Sequence, residues 1–226
     1  MIFDLDDTLI DTRGSIMPGL LKNALRAMRE EGCTFDNFAT AYSRLTEIDG
    51  RARTFREGLS LFLRDVPGSS DVAYAAAVEA VLTHPRFTSP VEQVPGAMEV
   101  LTALGRHHTL ALVTRSGEEV RKEKMRRAGL STRLFRKIYS CSEKKATYEK
   151  LGEEENPRFR PVIVCGDRIS FDLTPAKELN YTTVHIKRGR GQYSTGPKKD
   201  VDYTISRLEE IVPIVRQIDR KVGCLR

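Results

Sequence analysis

The 226-residue sequence is poor in several things that would fix its class at once. It holds four cysteines, Cys33, Cys141, Cys165 and Cys224, far apart, with no C-x-x-C pair and no neighbouring histidine to complete a zinc site. These read as buried or idle thiols rather than a disulfide framework or a metal centre. No stretch approaches the roughly 20 apolar residues needed to span a bilayer. The apolar start, Met1-Ile2-Phe3, gives way to Asp4 at once, unlike a secretory signal, so a cytoplasmic protein with no membrane partner is expected. The G-x-G-x-x-G loop of a dinucleotide-binding sheet is missing after the first strand.

What is present is an ordinary globular composition, 40% hydrophobic and 30% charged, long enough to bury a core. The net charge of +6 suits an anionic partner. The basic runs are Arg121-Lys122-Glu123-Lys124, which reads as the solvated face of a helix, and Lys187-Arg188-Gly189-Arg190, which no aromatic side chains interleave to stack bases. A small anionic ligand is therefore expected rather than nucleic acid.

Two rhythms divide the chain. Within residues 14–90, apolar residues recur at three- and four-residue spacing, as in Leu20-Leu21, Ala24-Leu25 and Met28, with further helical periods over 38–48, 55–63 and 72–82. These predict a small all-α bundle inserted after the first strand. Residues 1–13 and 91–226 alternate short apolar strands (1–5, 109–113, 137–139, 161–165, 182–186) with helices, ending in a helix over 206–221; residues 189–199 read as a loop. That alternation predicts an α/β domain, a Rossmann-like parallel sheet covered by helices on both faces, which binds ligands at the carboxyl ends of its strands.

Four groups of reactive residues follow predicted strands. Asp4 and Asp6 leave the first strand two residues apart, so both carboxylates can face one pocket, although Asp residues capping a turn would look the same. Thr114-Arg115-Ser116-Gly117 joins a strand to a helix whose first N–H groups can receive a phosphate; Ser116 with Glu119 also matches a capping box. Lys144-Lys145 offers an ammonium, and Lys144 is preferred because Tyr148 and Leu151 follow it at helical spacing. Gly166-Asp167 ends a fully apolar strand, with Asp172 five residues on; hard carboxylate oxygens of this kind suit magnesium. An Asp near a helix start can equally serve the helix dipole.

The order carboxylates, hydroxyl, lysine, carboxylates resembles the four motifs of the haloacid dehalogenase superfamily, with the 14–90 insertion where that family carries a helical cap. The resemblance implies an Mg2+-dependent phosphatase acting on a small phosphorylated metabolite, as a monomer or homodimer. It implies Asp4 as the nucleophile that becomes an aspartyl-phosphate and Asp6 as general acid and base. Thr114, Arg115, Ser116 and Lys144 fall at the phosphate, and Asp4, Asp6 (through its backbone carbonyl), Asp167 and Asp172 fall around the metal. Asp6 separates phosphoryl transfer from the dehalogenating branch, which lacks that second acid. A phosphomutase with the same motifs and a non-catalytic ligand-binding module are the alternatives. Two residues depart from the pattern: Asp7 stands where phosphatase branches most often carry Gly, and Arg115 where a smaller residue or an amide is commoner.

Overall fold

The computed structural model describes residues 1–83, 87, 90–155, 161–193 and 196–223. The chain divides into two compact units, one formed by Met1–Asp11 with Glu92–Arg226 and the other by Thr12–Val91.

In chain order the elements are β1 (Ile2–Phe3), α1 (Met17–Glu30), α2 (Phe38–Arg51), α3 (Phe55–Leu63), α4 (Asp71–Val78), α5 (Ala97–Gly105), β2 (Ala111–Thr114), α6 (Glu118–Arg127), β3 (Lys137–Ser140), α7 (Lys144–Glu155), β4 (Ile163–Gly166), α8 (Thr174–Lys177), β5 (Thr182–Ile186), β6 (Tyr203–Ile205) and α9 (Ile211–Lys221). No helix among the described residues is long and apolar enough to cross a membrane.

The helical unit is built from amphipathic segments with polar caps. Asn37, Thr54 and Ser70 each accept backbone N–H groups at the starts of α2, α3 and α4, satisfying donors that the helix itself leaves open. Helix α1 buries Leu20, Leu21, Ala24, Leu25 and Met28, the stripe set by its sequence period, and packs on α2 and α4. A π-helical turn, Glu79–Thr83, continues α4. Asp49 is fully buried and held 2.5 Å from Arg13. Arg51, the last residue of α2, is exposed and paired with Glu47 at 3.1 Å.

The α/β unit carries a six-stranded, wholly parallel sheet in the order β3-β2-β1-β4-β5-β6. One face, with Ile2, Ala111, Val113 and Val164, is covered by Tyr148, Leu151, Leu173 and Ala176 from α7, α8 and the π-helical turn Ile169–Leu173 before α8. By the two-residue alternation of a strand, Phe3, Leu112 and Cys165, aligned in register and buried, face the opposite layer. Helices α5 and α9 pack together.

From β1 the chain runs to β2 and β3 on one side, then crosses back to β4 on the other. The carboxyl ends of β1, β2 and β4 therefore flank the crevice where the strand order reverses, the usual ligand site of such a sheet.

Three local readings needed correction. Tyr203–Ile205 is a strand, although three residues at the sheet edge, only Ile205 of them buried, give too little alternation to stand out. The 189–199 stretch contains two short 3-10 helices, Gly189–Tyr193 and Lys198–Asp200. The run over 121–124 is not wholly a solvated face, because Arg121 and Lys124 are buried, each on a polar partner inside the α/β unit. Cys33 and Cys165 are buried free thiols and Cys141 is partly buried; Cys224 lies outside the described residues. His108 is half-buried, 3.1 Å from Asp219 of α9, while His107 is exposed.

Candidate active site

Asp4 follows β1 directly, and its backbone N–H still reaches the Cys165 carbonyl of β4 at 3.0 Å, so its position is set by the sheet itself. Asp167 follows β4. The π-helical turn that comes next brings Asp172 back to the strand end, where one of its oxygens accepts the Arg168 N–H at 2.8 Å. Oxygens of Asp4, Asp167 and Asp172 all lie within 4.8 Å of one another, and all three residues are buried. Gly166 makes that return possible, since a Cβ there would stand 2.6 Å from an Asp172 oxygen.

Lys144, the first residue of α7, follows β3, two strands along from β1 in the sheet. Its Nζ lies 2.5 Å from Asp4 Oδ1 and 2.7 Å from Asp172 Oδ1. Burial alone would lower this ammonium's pKa, but the carboxylates of Asp172 and Asp4 hold it well above the lysine range. Lys145 points elsewhere, exposed and paired with Glu178 at 2.7 Å. Tyr148 and Leu151, one and two turns along α7, are buried against the sheet, which orients Lys144 inward.

Three carboxylates around one ammonium leave excess negative charge in a dry place. Burial, helped by Asp172 and Asp6 and opposed by Lys144, raises the Asp4 carboxyl to about 7. Burial likewise pushes Asp167 well above the carboxylate range, with Asp172, Asp4 and Asp7 adding to it. A hard divalent cation would offset this repulsion, so the donor set fits magnesium by both chemistry and charge.

Asp6 faces different partners. Its carboxylate accepts the Ser116 hydroxyl at 2.8 Å and the Lys124 ammonium at 2.5 Å, and Lys124 also reaches the Ser116 oxygen at 3.2 Å. The metal-competent cluster thus holds the Asp4, Asp167 and Asp172 carboxylates without that of Asp6. Ser116 does not cap α6; that helix starts from Gly117 with no side-chain cap. Thr114, buried at the end of β2, accepts the Ser116 N–H at 3.2 Å, closing a tight turn ahead of the helix. The Arg115 guanidinium instead lies 4.3 Å from the centroid of the Phe171 ring.

One further residue had no sequence signal strong enough to select it. His185 of β5 is buried with Nε2 2.9 Å from the Asp167 carbonyl, and burial lowers its pKa, so it presents a neutral ring to the strand end. Asp7 adopts φ +57°, a left-handed conformation that Asp tolerates better than most residues and Gly adopts freely. The departure from Gly at this position is thus met by a backbone that an Asp can still take.

Comparison with known proteins points to one family. The family model for haloacid dehalogenase-like hydrolases matches residues 1–170. A glyceraldehyde 3-phosphate phosphatase of Pyrococcus furiosus is 28% identical over 225 residues, covering 96% of this chain and 92% of the relative. Among solved structures, a predicted phosphoglycolate phosphatase of Haemophilus somnus superposes with a TM-score of 0.68 at 16% identity, covering 95% of this chain and 96% of the other. The Bacillus subtilis HAD-hydrolase YfnB, solved bound to magnesium, gives 0.64 at 17%, covering 94% and 96%. With its family model matched across all four clusters of site residues save only Asp172, just past the matched span, the chain belongs to the haloacid dehalogenase-like hydrolases.

Proposed function

We propose that this hydrolase is a magnesium-dependent phosphatase that cleaves the phosphate monoester of a small metabolite through an aspartyl-phosphate on Asp4. The observation that carries the reading is the Asp4 carboxylate, buried at a strand end and gripped by Lys144 at 2.5 Å, with Asp167 and Asp172 beside it.

Asp4 Oδ attacks the phosphorus in line, and the ester P–O bond breaks as the new P–O bond forms. Asp6 gives its proton to the departing alkoxide, then takes one from the water that cleaves the acyl-phosphate, returning Asp4 as carboxylate and releasing inorganic phosphate. The Thr114 hydroxyl and the backbone N–H groups opening α6 orient the phosphate oxygens. Lys144 stabilises negative charge on the phosphate and on Asp4 across both steps. Asp4, Asp167 and the Asp6 backbone carbonyl would hold magnesium, with Asp172 beside them, and the ion would supply positive charge that offsets the repulsion between the phosphate and Asp4. In this proposal the chemistry belongs to the α/β unit, and the inserted helices form the cap that selects substrate.

Hydrolysis of p-nitrophenyl phosphate, with magnesium and with a chelator, tests the reading. The native protein should turn over only with the metal, and Asp4→Asn should not turn over at all. The name of the Pyrococcus relative puts three-carbon phosphates first in the substrate screen that follows. Activation by a sugar bisphosphate would instead move the reading to a mutase.

A further inference from the structure

The catalytic cluster lies at the carboxyl ends of the strands, and a second cleft lies at the other end. Helix α5 and the turn after it lead into the amino end of β2, whose carboxyl end carries Thr114. An extended chain from His108 to Thr114 spans roughly 15 Å or more, so the groups around His108 are remote from the cluster. Here α5 and α9 pack together and leave a cleft of about 370 Å³, within the range of small-molecule sites. Its floor is apolar: Leu104 and Val215 are buried there, with Ala103 and Val212 half-buried. Its rim is basic, with Arg106 just after α5, and Arg216 and Arg220 one turn apart on α9, all three exposed.

Among the described residues none of these three arginines forms an ion pair. Asp219 is the carboxylate of the cleft, three residues after Arg216 and next to Arg220, yet it lies 3.1 Å from His108. Glu99, in an adjoining hollow that Arg106 also lines, is not paired with that arginine. Three guanidiniums against the one carboxylate leave the cleft two positive charges in excess. Arg216 and Arg220, four apart on one face of α9, are like charges that disfavour the helix unless an anion lies between them. Guanidinium forks match the oxygens of a carboxylate or a phosphate, and an apolar floor beneath them suits a hydrocarbon body. The proposed catalytic cycle uses none of these residues.

We propose that the cleft between α5 and α9 is a second ligand site, which binds a small amphiphilic anion with its carboxylate or phosphate-type head on Arg106, Arg216 and Arg220 and its apolar body on Leu104, Val212 and Val215. The site goes beyond the phosphatase reading and does not depend on it.

The test titrates the full chain with hexanoate, hexylphosphonate and, as their neutral match, hexanol, followed residue by residue by amide NMR. At least one of the two anions should give saturable shifts centred on residues 103–108 and 212–220, and whichever binds tighter identifies the head group. Hexanol should bind about tenfold more weakly or less, since it offers the guanidiniums no charge. Replacing Arg216→Gln and Arg220→Gln together should weaken the anion about tenfold or more while the melting temperature without ligand stays native. Arg106→Gln, outside both helices, makes the same comparison without touching α9. Asp4→Asn protein should bind the anion in the cleft with native affinity, which distinguishes this site from the catalytic cluster. Arginines that only complement the carboxyl ends of the two helices would give no saturable shift in the cleft. That result, equal binding of hexanol, or an affinity unmoved by the arginine substitutions would overturn the proposal.

Discussion

Lys124 Nζ lies 2.5 Å from a carboxylate oxygen of Asp6, joining the middle of α6 to the residue two past Asp4. Ser116 closes the triangle from the other carboxylate oxygen, so the Asp6 side chain is held from two sides. Lys124 touches neither Asp4 nor the acidic cluster in any described contact; it acts through Asp6, as a positioning residue. Lys124→Met should lower kcat about 10- to 100-fold, the value of one charge-assisted hydrogen bond, with KM changed much less. Lys124→Arg should restore part of the rate. Steady-state kinetics of the two variants checks this, and a Lys124→Met enzyme with native kcat would refute it.

The two adjacent lysines should differ sharply. Lys144→Ala removes an ammonium bonded to two buried carboxylates and should cost about 3–5 kcal/mol of stability as well as most of the turnover. Lys145→Ala removes only an exposed pair with Glu178 and should leave both melting temperature and kcat at native values. Thermal unfolding and turnover of both proteins decide the matter; comparable losses in the two would contradict the placement.

Metal and pH should be linked with a definite sign. The Asp4 carboxyl titrates near 7 in the folded chain, well above its unfolded value, so the folded protein holds more protons than the unfolded one across that interval. Metal-free stability should therefore fall as pH rises from about 4 towards 7. Magnesium must displace those protons, so its affinity should rise across the same window. The gain in melting temperature on adding magnesium should be larger at about pH 8 than at about pH 5.5. Equal gains at the two pH values would place the metal away from Asp4 and Asp167.

Tyr148 buries its hydroxyl with no hydrogen-bond partner among the described residues, beneath Lys144 and against the sheet. Tyr148→Phe keeps the ring and removes an unsatisfied polar atom, so it should stabilise the protein by about 1 kcal/mol. Denaturant unfolding measures this; a loss of similar size would show that the hydroxyl is solvated by ordered water.

Much of this was legible because reactive residues sit directly after apolar runs. Asp4, Thr114 and Asp167 end or follow short buried strands, and a parallel sheet brings such ends together whatever the loops do. Lys144 was distinguishable from Lys145 because Tyr148 and Leu151 mark the buried side of α7. Lys124 was hidden by its company. In Glu-Glu-Val-Arg-Lys-Glu-Lys-Met-Arg-Arg the charges dominate, and only the spacing of Arg121, Lys124 and Met125, all buried, marks an inward stripe. The contact of Arg115 with Phe171 was unreadable for another reason: the two residues follow different strands, β2 and β4, and only the strand order makes them neighbours. Asp6 was placed among the acids by its spacing from Asp4, yet the side chain turns to Lys124 and Ser116, a choice that depends on a helix more than a hundred residues along the chain.

The central claim is that Asp4 becomes phosphorylated, and rapid quenching of the magnesium-loaded enzyme with a phosphate monoester tests it most directly. Borohydride reduction of the quenched protein, followed by peptide mass spectrometry, should convert residue 4 to homoserine in native protein during turnover and leave the Asp4→Asn protein unmodified. Steady turnover with no modification at residue 4, or with the label on another carboxylate, would contradict the account.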